Sequence, residues 1–400
     1  MKRKHIGVIL LVLALVNGSL MNCETNKCAS QHELIDFNIV DSIDIPISGR
    51  QYKHITPVLY ETDTLTLLAG LDSDNPGIDL FNLNEKIFYK RIELQKHGPN
   101  SVIDPRALVI HNLDSIFILN DDNQLYLLNQ YGKKRNQWNL SLPLPDSILK
   151  IDKSMTGEYM VAAYGKSEYL NLPFIYKSSE KSIIARLIPL NSADGSAEYS
   201  ILYRGPNMIQ IDLVLGRIKK LYGKYPTEFL IDPKPHNPFA HFISFKNSTW
   251  IQFDSSHEIY WVEKDSFLCT STKFSKKEIT KFRNDQTFDE EKEIRSYHTD
   301  EAYLGIYYDP YNQLIYRVFQ HNQPDKDLDG KLNQKLQAKF SILIIDLTGK
   351  IVGEVLFDEG KYNFLDIFVT RQGLLISKEN SFNKKNVEEL YSFDLIKFKL

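Results

Sequence analysis

Beyond Ile35 the chain is a succession of short apolar runs, each closed by Asp, Asn, Gly, Lys or Pro. Thr64 to Leu68, Asp114 to Leu119, Gln124 to Leu128, Tyr159 to Ala163, Glu258 to Val262 and Ser341 to Ile345 are examples. Runs of this length, rich in β-branched and aromatic residues and bounded by turn formers, predict β-strands. About 28 of them can be counted. A regular series of short strands without a long helical period predicts an all-β fold.

A recurrent turn supplies a period. Asn129-Gln130-Tyr131-Gly132-Lys133 and Asp346-Leu347-Thr348-Gly349-Lys350 each join two strands. Asp212 to Arg217 is a longer version, and Asn82 to Lys86 a version without glycine. Asn or Asp opens the turn, Gly supplies positive φ, and a basic residue starts the returning strand. The turns lie 47, 83 and 134 residues apart, near one, two and three units of about 45. Four-stranded units of that size predict a single β-propeller over 36–400, seven blades being favoured and six or eight the alternatives. The first strand, Asp36 to Ile45, has no partner nearby. It is expected to pair with Tyr391 to Leu400 and close the ring, because an open ring leaves two unpaired edges.

Two stretches break the rhythm. Residues 274–297 are heavily charged, and Ser275-Lys276-Lys277-Glu278 has the form of a helix capping box. This predicts a short helix or long loop held to the rim by Ile279, Phe282, Phe288 and Ile294. The second stretch runs from Gln320 to Ala338.

The N-terminus reads as an address. Lys2, Arg3 and Lys4 precede an 11-residue apolar run, Ile6 to Val16. That is too short to span a bilayer, which takes about 20 residues, and fits a secretory signal. Leu20-Met21-Asn22-Cys23 resembles a bacterial lipobox, with Asn22 where a smaller residue is usual. The expected layout is a signal at 1–22, lipidation at Cys23, a polar tether over 23–35 and the propeller from 36. Acyl chains contribute about 0.8 kcal/mol per buried CH₂, enough to hold a protein at a membrane without a spanning helix. No later segment approaches 18 apolar residues. Cys28 and Cys269 could bridge in an oxidising compartment.

Composition narrows the picture. Charged residues make up 25% and hydrophobic residues 42%, the balance of a folded protein. With 48 basic against 51 acidic residues the net charge is −3, and loss of residues 1–22 makes it −6. No positive excess exists to neutralise phosphates, which excludes a strongly basic nucleic-acid binder. Three cysteines in 400 residues exclude a disulfide scaffold. Aromatic residues at 12% suit pleated surfaces.

Several segments resemble a known family. They are Lys96 to Val102, Asp114 to Phe117, Phe340 to Asp346 with Gly353 to Phe357, and Gly373 to Ser377. The chain is similar to Gram-negative bacterial lipoproteins classed as a domain of unknown function, and in appearance to TolB-like and NHL-like propeller lipoproteins. The resemblance implies an envelope-attached propeller. It implies no activity and carries over no catalytic residues.

Candidate chemistry is sparse. Asp325-Lys326-Asp327-Leu328-Asp329-Gly330 has the alternating carboxylates and glycine that open a calcium loop, but Leu336 stands where a bidentate acid would end it. Asp325, Asp327 and Asp329 are the candidate calcium ligands, against an acidic hairpin. Ser42, Thr64, Ser115 and Ser147 follow Asp and precede an aliphatic residue, similar to a bacterial O-glycosylation motif. Asp-Ser is equally good turn chemistry. His236 and His241 are close but lack the H-E-x-x-H pattern. No nucleophile elbow or phosphate loop occurs.

The function expected is a non-enzymatic binding or scaffolding module on a bacterial envelope, anchored in the membrane by lipid and facing the periplasm or cell surface. Its partner would be a protein, peptide or glycan. The alternative is a propeller hydrolase or lactonase with a metal in the central channel. Convergence of three or more carboxylate, Asn or His side chains at the channel mouth would favour the enzyme.

Overall fold

The computed structural model describes residues 34–399 apart from 48–54, 73–74, 121, 142–158, 162–173, 190–202, 204, 227–228, 230–239, 264–265, 273–289 and 384–388. The expected signal, Cys23, Cys28 and the tether up to residue 33 lie outside the described residues, as do Ser147, His236 and the Ser275–Glu278 capping box.

Among the described residues the chain forms six antiparallel sheets. β1 (Phe37–Pro46) comes first and is set aside for the last sheet. Blade one holds β2 (Ile55–Glu61), β3 (Thr66–Asp72), β4 (Gly77–Asn82) and β5 (Ile87–Glu93). Blade two holds β6 (Pro105–Asn112), β7 (Ser115–Asn120), β8 (Gln124–Leu128) and β9 (Lys134–Asn139). In blade three, β10 (Tyr159–Val161) and β11 (Phe174–Lys177) lie along two ends of β12 (Ser182–Pro189), followed by β13 (Met208–Asp212) and β14 (Arg217–Tyr222). Blade four holds β15 (His241–Phe245), β16 (Ser248–Gln252), β17 (Glu258–Glu263) and β18 (Ser266–Ser271). A helix, α1 (Glu290–Thr299), precedes blade five: β19 (Ala302–Asp309), β20 (Leu314–Gln320), β21 (Phe340–Asp346) and β22 (Ile351–Phe357). Blade six is β23 (Asn363–Thr370), β24 (Gly373–Ser377) and β25 (Leu390–Phe398), with β1 as its outer strand.

The all-β propeller expectation holds, and the count of seven blades is corrected to six. The four recurrent turns are equivalent, since each joins the third and fourth strands of a blade. The period was misleading because insertions stretch it. The 83-residue gap spans one blade, with long connections around β10 and β11. The 134-residue gap spans two blades, widened by α1 and the Gln320–Ala338 excursion.

Six clusters of buried apolar side chains form the described core, and each lies between two neighbouring blades. One cluster joins Leu67, Leu80 and Ile92 of blade one to Leu108, Ile118 and Leu128 of blade two. Another joins Ile45, Leu375 and Phe393 of blade six to Leu68 and Phe81 of blade one. Each sheet is therefore covered on both faces, and its middle strands have no water-facing side. That explains the unbroken apolar runs, where a half-solvated strand would alternate. β4 is buried at every residue, while its outer neighbour β5 is partly exposed.

β1 pairs with β25 from Phe37↔Phe398 to Pro46↔Leu390, with a bulge between Ile39 and Asp41. Ser42 Oγ donates to Asp394 Oδ1 at 2.6 Å, and Lys86 of blade one reaches Asp41 at 2.9 Å. Before β1 the chain runs along β22. Leu34 bridges Glu354 in parallel, and Ile35 N donates to Glu354 O at 2.7 Å. Gly353 makes room for this segment, since a Cβ there would stand 1.8 Å from Ile35 Cδ1. The helix overlaps the expected charged insertion only at its end, and Ile294, expected to pack on the rim, is exposed. No described helix is long and apolar enough to cross a membrane.

Candidate functional site

The first strands of the blades touch one another around the centre. Contacts link β6 to β2 and β11, β2 to β23, β23 to β19, and β19 to β15. Each then enters a hairpin to the second strand, and three of these hairpins meet at one mouth of the ring.

Local turn chemistry sets each hairpin. Asp309 accepts from Tyr311 N at 2.8 Å and Asn312 N at 2.9 Å, and its other oxygen accepts from Tyr316 Oη at 2.7 Å. This Asx turn holds Tyr311 outward. Thr370 Oγ1 accepts from Gln372 N at 3.2 Å and Gly373 N at 3.1 Å, presenting Arg371. Thr62 Oγ1 accepts from Leu65 N at 3.1 Å, presenting Asp63.

The three tips then join. Glu61 Oε2 accepts from Tyr311 Oη at 2.7 Å and from Arg371 N at 2.9 Å. The Arg371 guanidinium lies 2.8 Å from Asp63 Oδ1 and 5.6 Å from the Tyr311 ring centroid. Asp63 holds the Arg371 pKa above its ordinary value. Partial burial, then the Glu61 hydrogen bond, raises that of Tyr311, which stays a neutral donor. The tips remain accessible, with Tyr311 at 42% exposure and the Asp63 side chain at 86%. The result is an aromatic face, a guanidinium and a carboxylate side by side. Such groups recognise a polar ligand by stacking and charge-assisted hydrogen bonds.

Elsewhere β23 carries a perturbed acid. Asp366 accepts from Asn363 Nδ2 at 3.0 Å, and burial, then Glu379, pushes its pKa up to about 6. It retains partial solvent access while protein surrounds it. Among the described residues no three His, Cys, Asp or Glu side chains are grouped to hold a metal ion.

Two buried arginines stitch blades together. Arg317 donates to Gln252 Oε1 at 2.9 Å, His257 O at 2.9 Å and Ser256 O at 2.7 Å, and to Thr272 Oγ1. It also stands 3.3 Å from the Tyr303 ring centroid. Among the described residues Arg186 donates Nε to Ala240 O, both Nη atoms are buried without a hydrogen-bond partner, and the guanidinium carbon stands 5.1 Å from the Phe242 ring centroid. Burial lowers its pKa to about 9. Nearby His241 is buried, with Nε2 2.9 Å from Asp254 Oδ1, and burial lowers its pKa.

The residues singled out from sequence are dispersed. Asp325, Asp327 and Asp329 lie in a hairpin whose strands bridge at Lys326↔Leu332. Asp327 Oδ1 accepts from the backbone N of Asp329 and of Lys331, both at 2.9 Å. Asn129 and Asp346 use the same bonds in their turns. Asp325 instead faces Thr299 Oγ1 at 3.4 Å, so the three carboxylates do not gather. Ser42 sits within β1 with its hydroxyl engaged, Thr64 is exposed in a hairpin, and Ser115 opens β7. Sequence reading missed Glu61, Asp63, Tyr311 and Arg371 as a group. The sequence signal that touched this group was Asp63-Thr64, read as turn chemistry or a glycosylation motif.

A profile of a domain of unknown function, DUF4221, matches residues 56–356, more than half of the chain. The chain belongs to the DUF4221 family. A crystal structure of a DUF4221 member from Bacteroides vulgatus is similar over 92% of this chain and 99% of its own, with TM-score 0.70 and 18% identity. A Bacteroides fragilis protein described as a candidate exported protein matches over 92% and 98%, with TM-score 0.52 and 11% identity. Both likenesses concern the fold. No curated protein matches the chain.

Proposed function

We propose that this DUF4221 chain is an extracytoplasmic binding or scaffolding module, held to a bacterial envelope by lipid on Cys23. The observation that carries the binding reading is the three-blade cluster of Glu61, Asp63, Tyr311 and Arg371. A ring of rigid blades presents these loop tips together, and positioned loops are where recognition residues concentrate. The aromatic face and the paired charges suit a peptide segment or a glycan. The exported description of the Bacteroides fragilis protein supports the location. The lipobox resemblance of Leu20 to Cys23 supports the anchor. This reading also takes β1 as the strand that closes the ring, supported by its pairing with β25 and its contact with Lys86. The channel-metal hydrolase draws no support from the described residues, among which no three His, Cys, Asp or Glu side chains are grouped to hold a metal.

A photo-crosslinking amino acid in place of Tyr311, in protein displayed on its native envelope, tests the binding reading. Capture of a defined envelope component is expected, with loss of at least ~80% of the product in an Arg371→Ala background. The same probe in place of exposed Leu328 is the control. Equal capture from both positions, or no effect of Arg371→Ala, would show that this mouth is not the binding surface.

A further inference from the structure

The inner strands repeat one feature at the mouth that carries Glu61, Asp63, Tyr311 and Arg371. Each brings a ring to that end. Tyr60 of β2, His111 of β6, Tyr176 of β11 and Tyr308 of β19 stand one residue before the strand end. Phe245 is the last residue of β15, and Phe368 lies two residues before the end of β23. His111 is exposed and the other five are half-buried. Deeper along the same strands the apolar residues are sealed, with Ala107, Phe174 and Ile306 at 0% exposure. The strands therefore open aromatic surface to water only where they reach the mouth.

The rings occupy the seams between blades. Tyr176 meets His111 edge to face, centroids 5.2 Å apart, across blades three and two. Phe245 stacks on Tyr308 at 4.2 Å across blades four and five. Tyr60 packs on the seam of blades one and two, and Phe368 on that of blades six and one. We infer that these six side chains form an aromatic collar which, with the Tyr311 cluster, takes a glycan chain. The inference names the ligand of the mouth and rests on the binding reading above.

Two features point to sugar. The first is mixed chemistry at each contact. A pyranose offers an apolar C–H face to a ring, and hydroxyls that need both donors and acceptors. Tyr60, Tyr176 and Tyr308 join a ring to a hydroxyl, exposed Asn247 and Gln372 add amides, and the Asp63 side chain is 86% exposed. The second is charge. The six hairpins, residues 61–65, 111–115, 177–181, 245–248, 309–313 and 370–373, hold the acids Glu61, Asp63, Asp114, Glu180 and Asp309. Against these five stand four bases, Lys177, Lys181, Lys246 and Arg371. That near balance gives no net field to draw a polyanion or a polycation. It suits a neutral polyhydroxyl chain better than a charged peptide.

The photo-crosslink at position 311 identifies the ligand class. Product captured on the native envelope is digested with trypsin, and the peptide Ser296–Arg317 is read by mass spectrometry. A ladder of sugar masses on that peptide, lost on periodate oxidation, is expected. Attached amino-acid residues or an acyl lipid would overturn the glycan assignment and leave the binding reading standing. Capture no greater than at the Leu328 control would overturn both. The collar is tested separately. His111→Ala, at an exposed position, and Tyr176→Leu should each lower the yield of sugar-bearing peptide about 3- to 10-fold, and Tyr176→Phe should keep it. Melting midpoints of the variants show that the ring of blades is intact. Unchanged yield in folded His111→Ala, or equal losses in Tyr176→Leu and Tyr176→Phe, would overturn the collar.

Discussion

Arg186 and Arg317 are chemically alike, buried alike, and set in different company. Arg317 meets backbone carbonyls, an amide and a hydroxyl. Its removal would orphan those acceptors. Arg317→Met should therefore cost about 3–5 kcal/mol. Among the described residues Arg186 leaves both Nη donors unmet, with one hydrogen bond and the Phe242 ring beside it, and a buried charge so sparsely paired is a cost in itself. Arg186→Met should be neutral or stabilising by about 1–4 kcal/mol. Urea unfolding of both variants decides this, and equal losses would contradict it. Asp366 gives a pH signature. Its folded pKa of about 6 lies above the ordinary 3.8, so the folded state holds the proton more tightly between those values. Its contribution is present at low pH and is lost as pH rises through about 6. Asp366→Asn should raise the melting midpoint by about 3–6 °C at pH 8 and leave it unchanged near pH 4. A scan of melting midpoint against pH tests it. A gain of the same size at both ends would count against the titration.

Elements were legible where one segment carries its own instructions. The Asn129 and Asp346 turns read correctly, because an Asx acceptor, a glycine at positive φ and a lysine fix them locally. The same chemistry recurs at Asp327, where Leu328-Asp329-Gly330-Lys331 completes an identical turn in the segment that also resembles an ion loop. Turn and ion loop both need an early carboxylate and a glycine, so spacing alone does not separate them. The candidate site was illegible for another reason. Glu61 meets Tyr311 and Arg371 at separations of 250 and 310 residues, and neither pairing leaves a local pattern. Within β1, burial sorts the residues. Ile45 is 0% exposed between blades six and one, and Ile45→Ala should cost about 2–4 kcal/mol. Ile39, on the exposed part of the strand, should change stability by less than about 0.5 kcal/mol as Ile39→Ala. Denaturant midpoints of the pair test the burial assignment.

At the scale of the whole molecule, propeller class was readable because each blade repeats one solution to burying two faces. Blade number was not, because period counting treats an insertion as structure. Blade three and the stretch before blade five lengthened the spacing without adding a sheet among the described residues. The DUF4221 match and the Bacteroides vulgatus structure agree with the class.

The pairing of β1 with β25 also orders events in time. Synthesis makes β1 first and β25 last, and Ser42 and Asp394 stand 352 residues apart. Blades one to five can each assemble from neighbouring segments as they emerge. The sixth must wait for the final residues, with its outer strand made and idle throughout. An interrupted chain would thus display β1 as an unsatisfied strand edge, a ready mark by which a chaperone or protease could tell an unfinished molecule from a finished one.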